Sequence, residues 1–323
     1  MVSIQTVKQS NAGIASLPKG LVALFIGATS GIGQSALQQF AQQAPAPRIY
    51  TVARPQTAPS HENLLAELRQ SNPDGNYNLI TADVSLISEV GKAVKAVKQA
   101  ETKVDILFLS AGFMPFEGRN TTSEGHDPSM TTRYYSRLRA VQQLLPLLNN
   151  APSPRIISVL AGGIEAPINE DDLDLRNPNN WSTWNASFQS ATMGTLVLEK
   201  VARENPQISI VHWSPGPVNT PGLARFAKFG KQPPADAMSQ EDAGARALFF
   251  ATNDRYSVHG SLVPAPEDNE TPEKSGGGIF LLNPVGESTD NERVLGGLRE
   301  RNVDETVWKF TEKVFEAHSG IGS

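Results

Sequence analysis

Short apolar runs alternate along the chain with stretches whose apolar residues recur every three or four positions. The runs are typical of buried strands, and the periodic stretches are typical of amphipathic helices. The predicted strands are residues 21–26, 48–53, 77–81, 104–110, 155–160, 208–213 and 279–282. The predicted helices are residues 31–43, 61–70, 85–100, 131–148 and 185–203. Because strands and helices take turns along the chain, we predict an α/β fold with a Rossmann-type doubly wound parallel sheet of about seven strands.

No internal repeat and no linker divides the chain, so residues 1–323 are predicted to form a single domain. Two regions depart from the alternation. Residues 221–278 are rich in proline and charge and are predicted to be an excursion followed by a surface loop. Residues 291–318 are predicted to form C-terminal helices whose inward side carries Val303, Val307, Phe310 and Val314.

Composition excludes several classes of protein. The net charge of −5 excludes a broad basic surface for nucleic acid. No apolar run approaches the roughly 20 residues of a membrane helix, and residues 1–19 lack the apolar stretch of a signal peptide. With no cysteine and five scattered histidines, no metal site is predicted. We therefore expect a cytoplasmic protein without nucleic-acid or membrane partners.

A glycine-rich loop joins the first predicted strand to the first predicted helix. Gly27, Gly31 and Gly33 stand where a side chain would block a diphosphate or the packing of the helix on the strand. The helix that starts near Gly31 directs free N–H groups at the phosphates. The loop therefore predicts a dinucleotide site, to which Thr29, Ser30 and Ile32 also belong.

Four motifs, in this order along residues 21–220, resemble the short-chain dehydrogenase/reductase superfamily. After the glycine-rich loop they are Asp83-Val84, Ser110-Ala111-Gly112 and Pro215-Gly216-Pro217-Val218-Asn219-Thr220. The resemblance implies that Asp83 and Val84 contact the adenine. It implies further coenzyme contacts from Ser110, Ala111, Gly112, Pro215, Gly216, Val218 and Thr220. The segments around Ser158 and Ile210 are most similar to fungal members, many of them from secondary-metabolite pathways.

The end of the second predicted strand indicates which coenzyme is preferred. NAD-preferring members carry an acidic residue there, which holds the ribose 2′-hydroxyl. Ala53 occupies that place, and the guanidinium of the following Arg54 can pair with a 2′-phosphate. The sequence therefore favours NADP(H) over NAD(H).

The catalytic pattern of the superfamily is missing. Ordinary members use a tyrosine followed four residues later by a lysine, but no tyrosine or lysine lies between Tyr135 and Lys200. One alignment places Trp181 at the tyrosine and Asn185 at the lysine, and a second places Asn185 and Gln189 there. None of these side chains is an acid near neutral pH.

Other residues are candidates for the catalytic roles. Arg133 aligns with the asparagine of the superfamily, and its fixed cation can stabilise developing negative charge. Ala161 aligns with the serine, and Glu165 lies just beyond it, where it is a candidate ion-pair partner of Arg133. Tyr134 and Tyr135 are alternative acids. The candidate apolar pocket residues are Trp184, Phe188, Trp213, Phe226 and Phe229.

The resemblance and the missing acid together imply an NADP(H)-binding enzyme with non-standard catalytic residues. It would act on a bulky, apolar metabolite by hydride transfer to an activated carbon, or by a cyclisation or isomerisation that the coenzyme supports. The excursion 221–278 would cover this substrate. The alternatives are a catalytically silent binding protein and an ordinary ketoreductase whose acid is Tyr134 or Tyr135. In related enzymes the helices that correspond to 131–148 and 185–203 often form a homodimer, which is a candidate assembly here.

Overall fold

A seven-stranded parallel sheet forms the centre of the computed structural model, which describes residues 2–230, 232, 234–265 and 272–318. Its strands are Val22–Ile26 (β1), Arg48–Ala53 (β2), Asn76–Thr81 (β3), Ile106–Leu109 (β4), Arg155–Val159 (β5), Ser209–Trp213 (β6) and Phe280–Leu282 (β9). Val218–Asn219 (β7) and Met238–Ser239 (β8) form a separate pair. The strand order is β3-β2-β1-β4-β5-β6-β9. Successive strands are added on one side of β1 up to β3 and on its other side from β4 onward, which confirms the predicted doubly wound fold.

Helices cover both faces of the sheet. They are Ile4–Ala12 (α1), Gly31–Gln43 (α2), Ala58–Ser71 (α3), Ile87–Ala100 (α4), Pro128–Met130 (α5), Ser136–Asn149 (α6), Thr183–Glu204 (α7), Pro221–Lys228 (α8), Gln240–Thr252 (α9), Glu292–Glu300 (α10) and Val303–Ala317 (α11). A π-helical turn, Thr131–Tyr135, joins α5 to α6. One core lies between the sheet and α4, α6, α7 and α11, and the other lies between the sheet and α1, α2, α3 and α9.

The sequence pattern did not predict α1 or α9. From Ala243 to Thr252 every residue of α9 is buried, so this helix has no polar stripe to reveal its period. It crosses α2 closely, since a Cβ on Gly244 would lie 2.3 Å from the Ser35 hydroxyl. The region 221–278, predicted to be an excursion, thus contains a core helix as well as the exposed helix α8.

The C-terminal helices pack against α6 and α7. Val303, Val307 and Val314 are buried as predicted, and Phe310 is partly buried. Hydrogen bonds and ion pairs also join the C-terminal helices to the π-helical turn and to α7. They are Tyr134 to Thr311 at 2.6 Å, Lys200 to Glu305 at 2.7 Å, Arg299 to Glu199 at 2.6 Å, and Arg203 to Asp304.

This packing bears on the candidate homodimer. The small residues of α7, among them Ala191 and Gly194, are buried within the chain. A dimer through α6 and α7 would require α11 to leave this face. The homodimer therefore stays a prediction without an assigned surface.

Candidate functional site

The glycine-rich loop lies directly against the end of β4. Gly27 has φ +97°, and a Cβ there would lie 2.2 Å from the Ala111 nitrogen. A Cβ on Gly33 would lie 2.3 Å from the Gly27 carbonyl oxygen. The Ile26 carbonyl accepts from the N–H groups of both Ser110 and Ala111. Two of the predicted coenzyme segments are therefore in contact, and both glycines are sterically required.

The N-terminus of α2 faces the third predicted segment. Gly31 begins the helix with φ +65°, and a Cβ there would lie 3.4 Å from the Thr220 methyl group. The hydroxyl of the preceding Ser30 makes no capping bond to α2, so the first-turn N–H groups are available to a ligand. The Thr220 hydroxyl itself accepts from the Leu223 N–H and caps α8.

The other predicted coenzyme residues lie at the carboxyl ends of their strands. Asp83 follows β3 and accepts from the Ser85 N–H at 2.9 Å. Arg54 follows β2, is exposed, and forms no ion pair with another described residue. Gly216 has φ +65° in the turn that leads to β7, where Val218 is buried. These positions lie at the carboxyl edge of the sheet, where doubly wound folds bind their ligands, and we call this edge the nucleotide crevice. Its donor groups and exposed guanidinium suit a phosphorylated dinucleotide.

Arg133 lies buried beside the segment that follows β4, since a Cβ on Gly112 would lie 3.1 Å from the Arg133 Cγ. The π-helical turn carries it, and such turns occur frequently at functional sites. Its Nη1 donates to the Ser187 hydroxyl at 2.6 Å, and its Nη2 donates to the Ser187 carbonyl at 3.2 Å. Its Nε, however, is buried without a hydrogen-bond partner among the described residues. Burial lowers the pKa of Arg133 to about 10, so the guanidinium is charged at neutral pH.

Sequence reasoning missed a second buried arginine, Arg137. It lies one turn after Arg133 and donates to the carbonyls of Leu109, Ala111 and Val159, at 3.1, 2.5 and 3.0 Å. It thereby ties the ends of β4 and β5 together. The signal available in the sequence was the i, i+4 spacing of two arginines, which places both on one face of a helix.

Glu165 does not pair with Arg133. One of its oxygens accepts from the Gly163 N–H and from the Thr195 hydroxyl, at 3.1 and 2.7 Å. Thr195 contacts Nδ1 of His212, whose Nε2 lies 3.3 Å from the Ala161 N–H. Burial raises the pKa of Glu165 and lowers that of His212 to about 3. These bonds hold the segment after β5, and Ser187 rather than Glu165 is the neighbour of Arg133.

The face of α7 near Arg133 differs from both sequence alignments. Ser187 contacts Arg133, and one turn earlier the Thr183 hydroxyl donates to the Pro115 carbonyl at 3.1 Å. Asn185 is exposed and donates to the Asn180 carbonyl. Gln189 is buried against the backbone of Asn169. By helical geometry, Asn185 and Gln189 project roughly opposite to Ser187, and Trp181 lies before the helix begins.

The two candidate tyrosines are turned into the core. Tyr134 and Tyr135 are both fully buried. The Tyr134 hydroxyl lies 2.6 Å from that of Thr311 in α11, and the Tyr135 hydroxyl donates to Asp174 at 2.8 Å. Burial raises the pKa of both phenols. Neither arrangement leaves a free phenol for a substrate.

Aromatic residues line the outer part of the crevice. Phe116, which sequence reasoning missed, packs against Phe226 and Phe229 with ring centroids 4.8 and 4.9 Å apart. None of the eight residues of α8 is buried, and Phe229 is 40% exposed, so this aromatic cluster is not part of the core. Trp184 stacks on Phe188 at the rim. Trp213, in contrast, is fully buried against Phe250 and belongs to the core rather than to a pocket.

The described residues contain neither a candidate membrane span nor a metal-binding cluster. No helix there is both long and apolar enough to cross a bilayer. No group of three or more histidine, aspartate or glutamate side chains in that part of the chain is arranged to hold a metal ion.

The fold and the crevice define a dinucleotide-binding protein of the doubly wound class. The sequence profile of the short chain dehydrogenase family matches residues 21–170. The chain is 63% identical over 322 residues to the NmrA-like family domain-containing oxidoreductase notO of Aspergillus sp. (strain MF297-2), covering 100% of this chain and 97% of that protein. It is 38% identical to oxidoreductase AN1596 of Emericella nidulans, covering 98% of each. The chain belongs to the short-chain dehydrogenase/reductase superfamily.

A solved structure agrees with this fold. The short chain dehydrogenase from Burkholderia cenocepacia J2315, crystallised in complex with NADP, superposes with a TM-score of 0.53 at 19% identity. The match covers 76% of this chain and 96% of that one.

Proposed function

We propose that the protein is an NADP(H)-dependent oxidoreductase with non-standard catalytic residues. It acts on a bulky, largely apolar metabolite by hydride transfer to an activated carbon, in secondary-metabolite biosynthesis. The observation that carries this proposal is the buried guanidinium of Arg133, bonded to Ser187, in a chain with no tyrosine or lysine between Tyr135 and Lys200. The fungal origin of the relatives supports the metabolic role.

Different residues of the chain bind the coenzyme, stabilise charge on the substrate and bind its apolar part. When bound, the coenzyme supplies the hydride. The α2 N-terminus and the glycine loop hold the diphosphate, and Arg54 holds the 2′-phosphate. The buried charge of Arg133, held by Ser187, stabilises negative charge that develops on the substrate. The exposed rings of Phe113, Trp184 and Phe229 give an apolar substrate its binding surface.

The test is reaction of the purified protein with deuterium-labelled NADPH and a panel of apolar enones and imines. Transfer of the label to carbon supports hydride transfer. A product formed without label and without NADPH oxidation supports the second candidate, cyclisation or isomerisation, which the missing acid favours. Binding without any product would support the silent binding protein.

Arg54→Met is expected to weaken NADP⁺ binding about tenfold or more and to leave NAD⁺ binding within about twofold. The reason is that a charge-assisted bond to the 2′-phosphate is worth roughly 1.5–3 kcal/mol and NAD⁺ lacks that group. Isothermal titration calorimetry with both coenzymes measures the effect. Arg293→Met, which removes an exposed arginine from α10, is the matched control. An equal loss for both coenzymes would contradict the role of Arg54.

Tyr134→Phe and Tyr135→Phe are each expected to keep turnover within about twofold of the wild type. Their hydroxyls are hydrogen-bonded to Thr311 and Asp174. Removing either hydroxyl should therefore lower the free energy of unfolding by about 1 kcal/mol, and it should not remove a proton donor from the substrate site. Urea unfolding and steady-state rates measure the two effects separately. A loss of turnover of 100-fold in either variant, with normal stability, would instead identify the acid of an ordinary ketoreductase.

A further inference from the structure

Two buried arginines on one helical segment have no carboxylate partner among the described residues. Arg133 is 6% exposed and Arg137 is 2% exposed. Their hydrogen bonds go to carbonyls, hydroxyls and the Met114 sulfur. Burying a charge is costly unless it is paired, so a pair of uncompensated guanidiniums is an unusual feature of a core.

The nearest acidic groups are engaged elsewhere. The Asp127 carboxylate accepts from the N–H groups of Asn120, Ser129 and Met130. Glu165 is bonded to Thr195 and Gly163. Burial lowers the pKa of Arg133 to about 10 and that of Arg137 to about 9, which leaves both charged at neutral pH.

The two charges lie at the second half of the nucleotide crevice. Arg137 binds the carbonyls that end β4 and β5, and a Cβ on Gly112 would lie 3.1 Å from the Arg133 Cγ and 3.7 Å from the Arg137 Nη2. In a doubly wound sheet the strands on the far side of the switch point bind the second nucleotide. For NADP(H) that nucleotide carries the nicotinamide, which is neutral when reduced and positively charged when oxidised.

We propose that Arg133 and Arg137 make the site selective for the reduced coenzyme, NADPH, over NADP⁺. The inference rests on the proposed function, because it takes NADP(H) as the ligand. Two unit charges about 10 Å apart at an effective dielectric constant of about 20 change a binding constant by about tenfold. Each guanidinium at such a separation penalises the oxidised ring by that order and leaves the reduced ring unaffected, so the two together give a preference of at least tenfold. Weak product inhibition by NADP⁺ follows.

The experiment compares dissociation constants for NADPH, NADP⁺ and 2′-phospho-ADP-ribose, which lacks the nicotinamide. The wild type is expected to bind NADPH at least tenfold more tightly than NADP⁺. Arg133→Met is expected to reduce this ratio severalfold by strengthening NADP⁺ binding, with 2′-phospho-ADP-ribose unchanged. Arg133→Lys keeps the charge and is expected to keep the ratio. Arg139→Met, which removes an arginine that packs on the Phe315 ring, is the charge-matched control with an unchanged ratio.

Equal affinity for the two redox forms in the wild type would overturn the inference, as would an Arg133→Met variant whose ratio matches that of the wild type. If Arg133→Met does not fold, Arg133→Gln removes the charge and keeps a donor for Ser187. Failure of all three ligands to bind the wild type would overturn the proposed function itself. The two failures are therefore distinguishable.

Discussion

Gly27→Ala is expected to destabilise the protein by about 2–5 kcal/mol and to weaken NADPH binding by more than tenfold. The new methyl group would lie 2.2 Å from the Ala111 nitrogen, and the residue would keep a φ of +97°. A left-handed backbone costs an ordinary residue about 1–2 kcal/mol, and forced repacking adds about 1–3 kcal/mol. Because the methyl group pushes the loop away from β4, the phosphate site opens. Urea unfolding and calorimetry with NADPH measure the two effects.

Gly118→Ala is the matched control for this prediction. Gly118 has nearly the same φ, +95°, but a Cβ there would meet nothing within 4 Å. This variant should therefore show only the backbone cost, about 1–2 kcal/mol, with normal NADPH affinity. If the two alanine variants bound NADPH equally well, the contact between the loop and β4 would not support the coenzyme.

Arg133→Met is expected to lower kcat by about 100- to 1000-fold with any accepted substrate. Loss of one donor to a developing oxyanion has an effect of this order. The loss should be in kcat rather than in NADPH affinity, because the reduced nicotinamide carries no charge for Arg133 to bind. Steady-state kinetics with the acceptor found in the deuterium experiment separates kcat from the coenzyme affinity.

Arg133→Lys and Arg139→Met complete the comparison. The lysine keeps the charge but lacks the fork that spans the Ser187 hydroxyl and carbonyl, so partial activity is expected. Arg139→Met should be fully active. A kcat of Arg133→Met close to that of the wild type would remove Arg133 from the mechanism and favour catalysis by a group that the sequence motifs do not include.

Much of the fold follows from the sequence because the strands are continuous apolar runs between turn residues. A strand such as Val22–Ile26 is buried on both faces and has no competing interpretation. The helix Gln240–Thr252 could not be found in this way, since burial on all sides removes the polar face that gives a helix its period. The N-terminal helix Ile4–Ala12 is also short and largely polar, so its pattern is weak.

The coenzyme site was more predictable than the catalytic site for a physical reason. Glycines at Gly27 and Gly33 are fixed by close backbone contacts, and such contacts leave a readable pattern. Which residues of the helix Thr183–Glu204 face Arg133 depends instead on the path of residues 160–182 between β5 and that helix. A shift of two residues turns a helix by about 200°, which exchanges Asn185 for Ser187 at Arg133. Counting from motifs cannot resolve such a shift.

The helix Val303–Ala317 covers one flank of the domain. This has a consequence where active and inactive copies of the protein are present together. Where subunits join through that flank, an inactive copy can impair the active copy that it binds. Here the flank is occupied by residues of the same chain, including Val307 and Phe315. An inactive copy therefore cannot impair an active copy by binding to this surface.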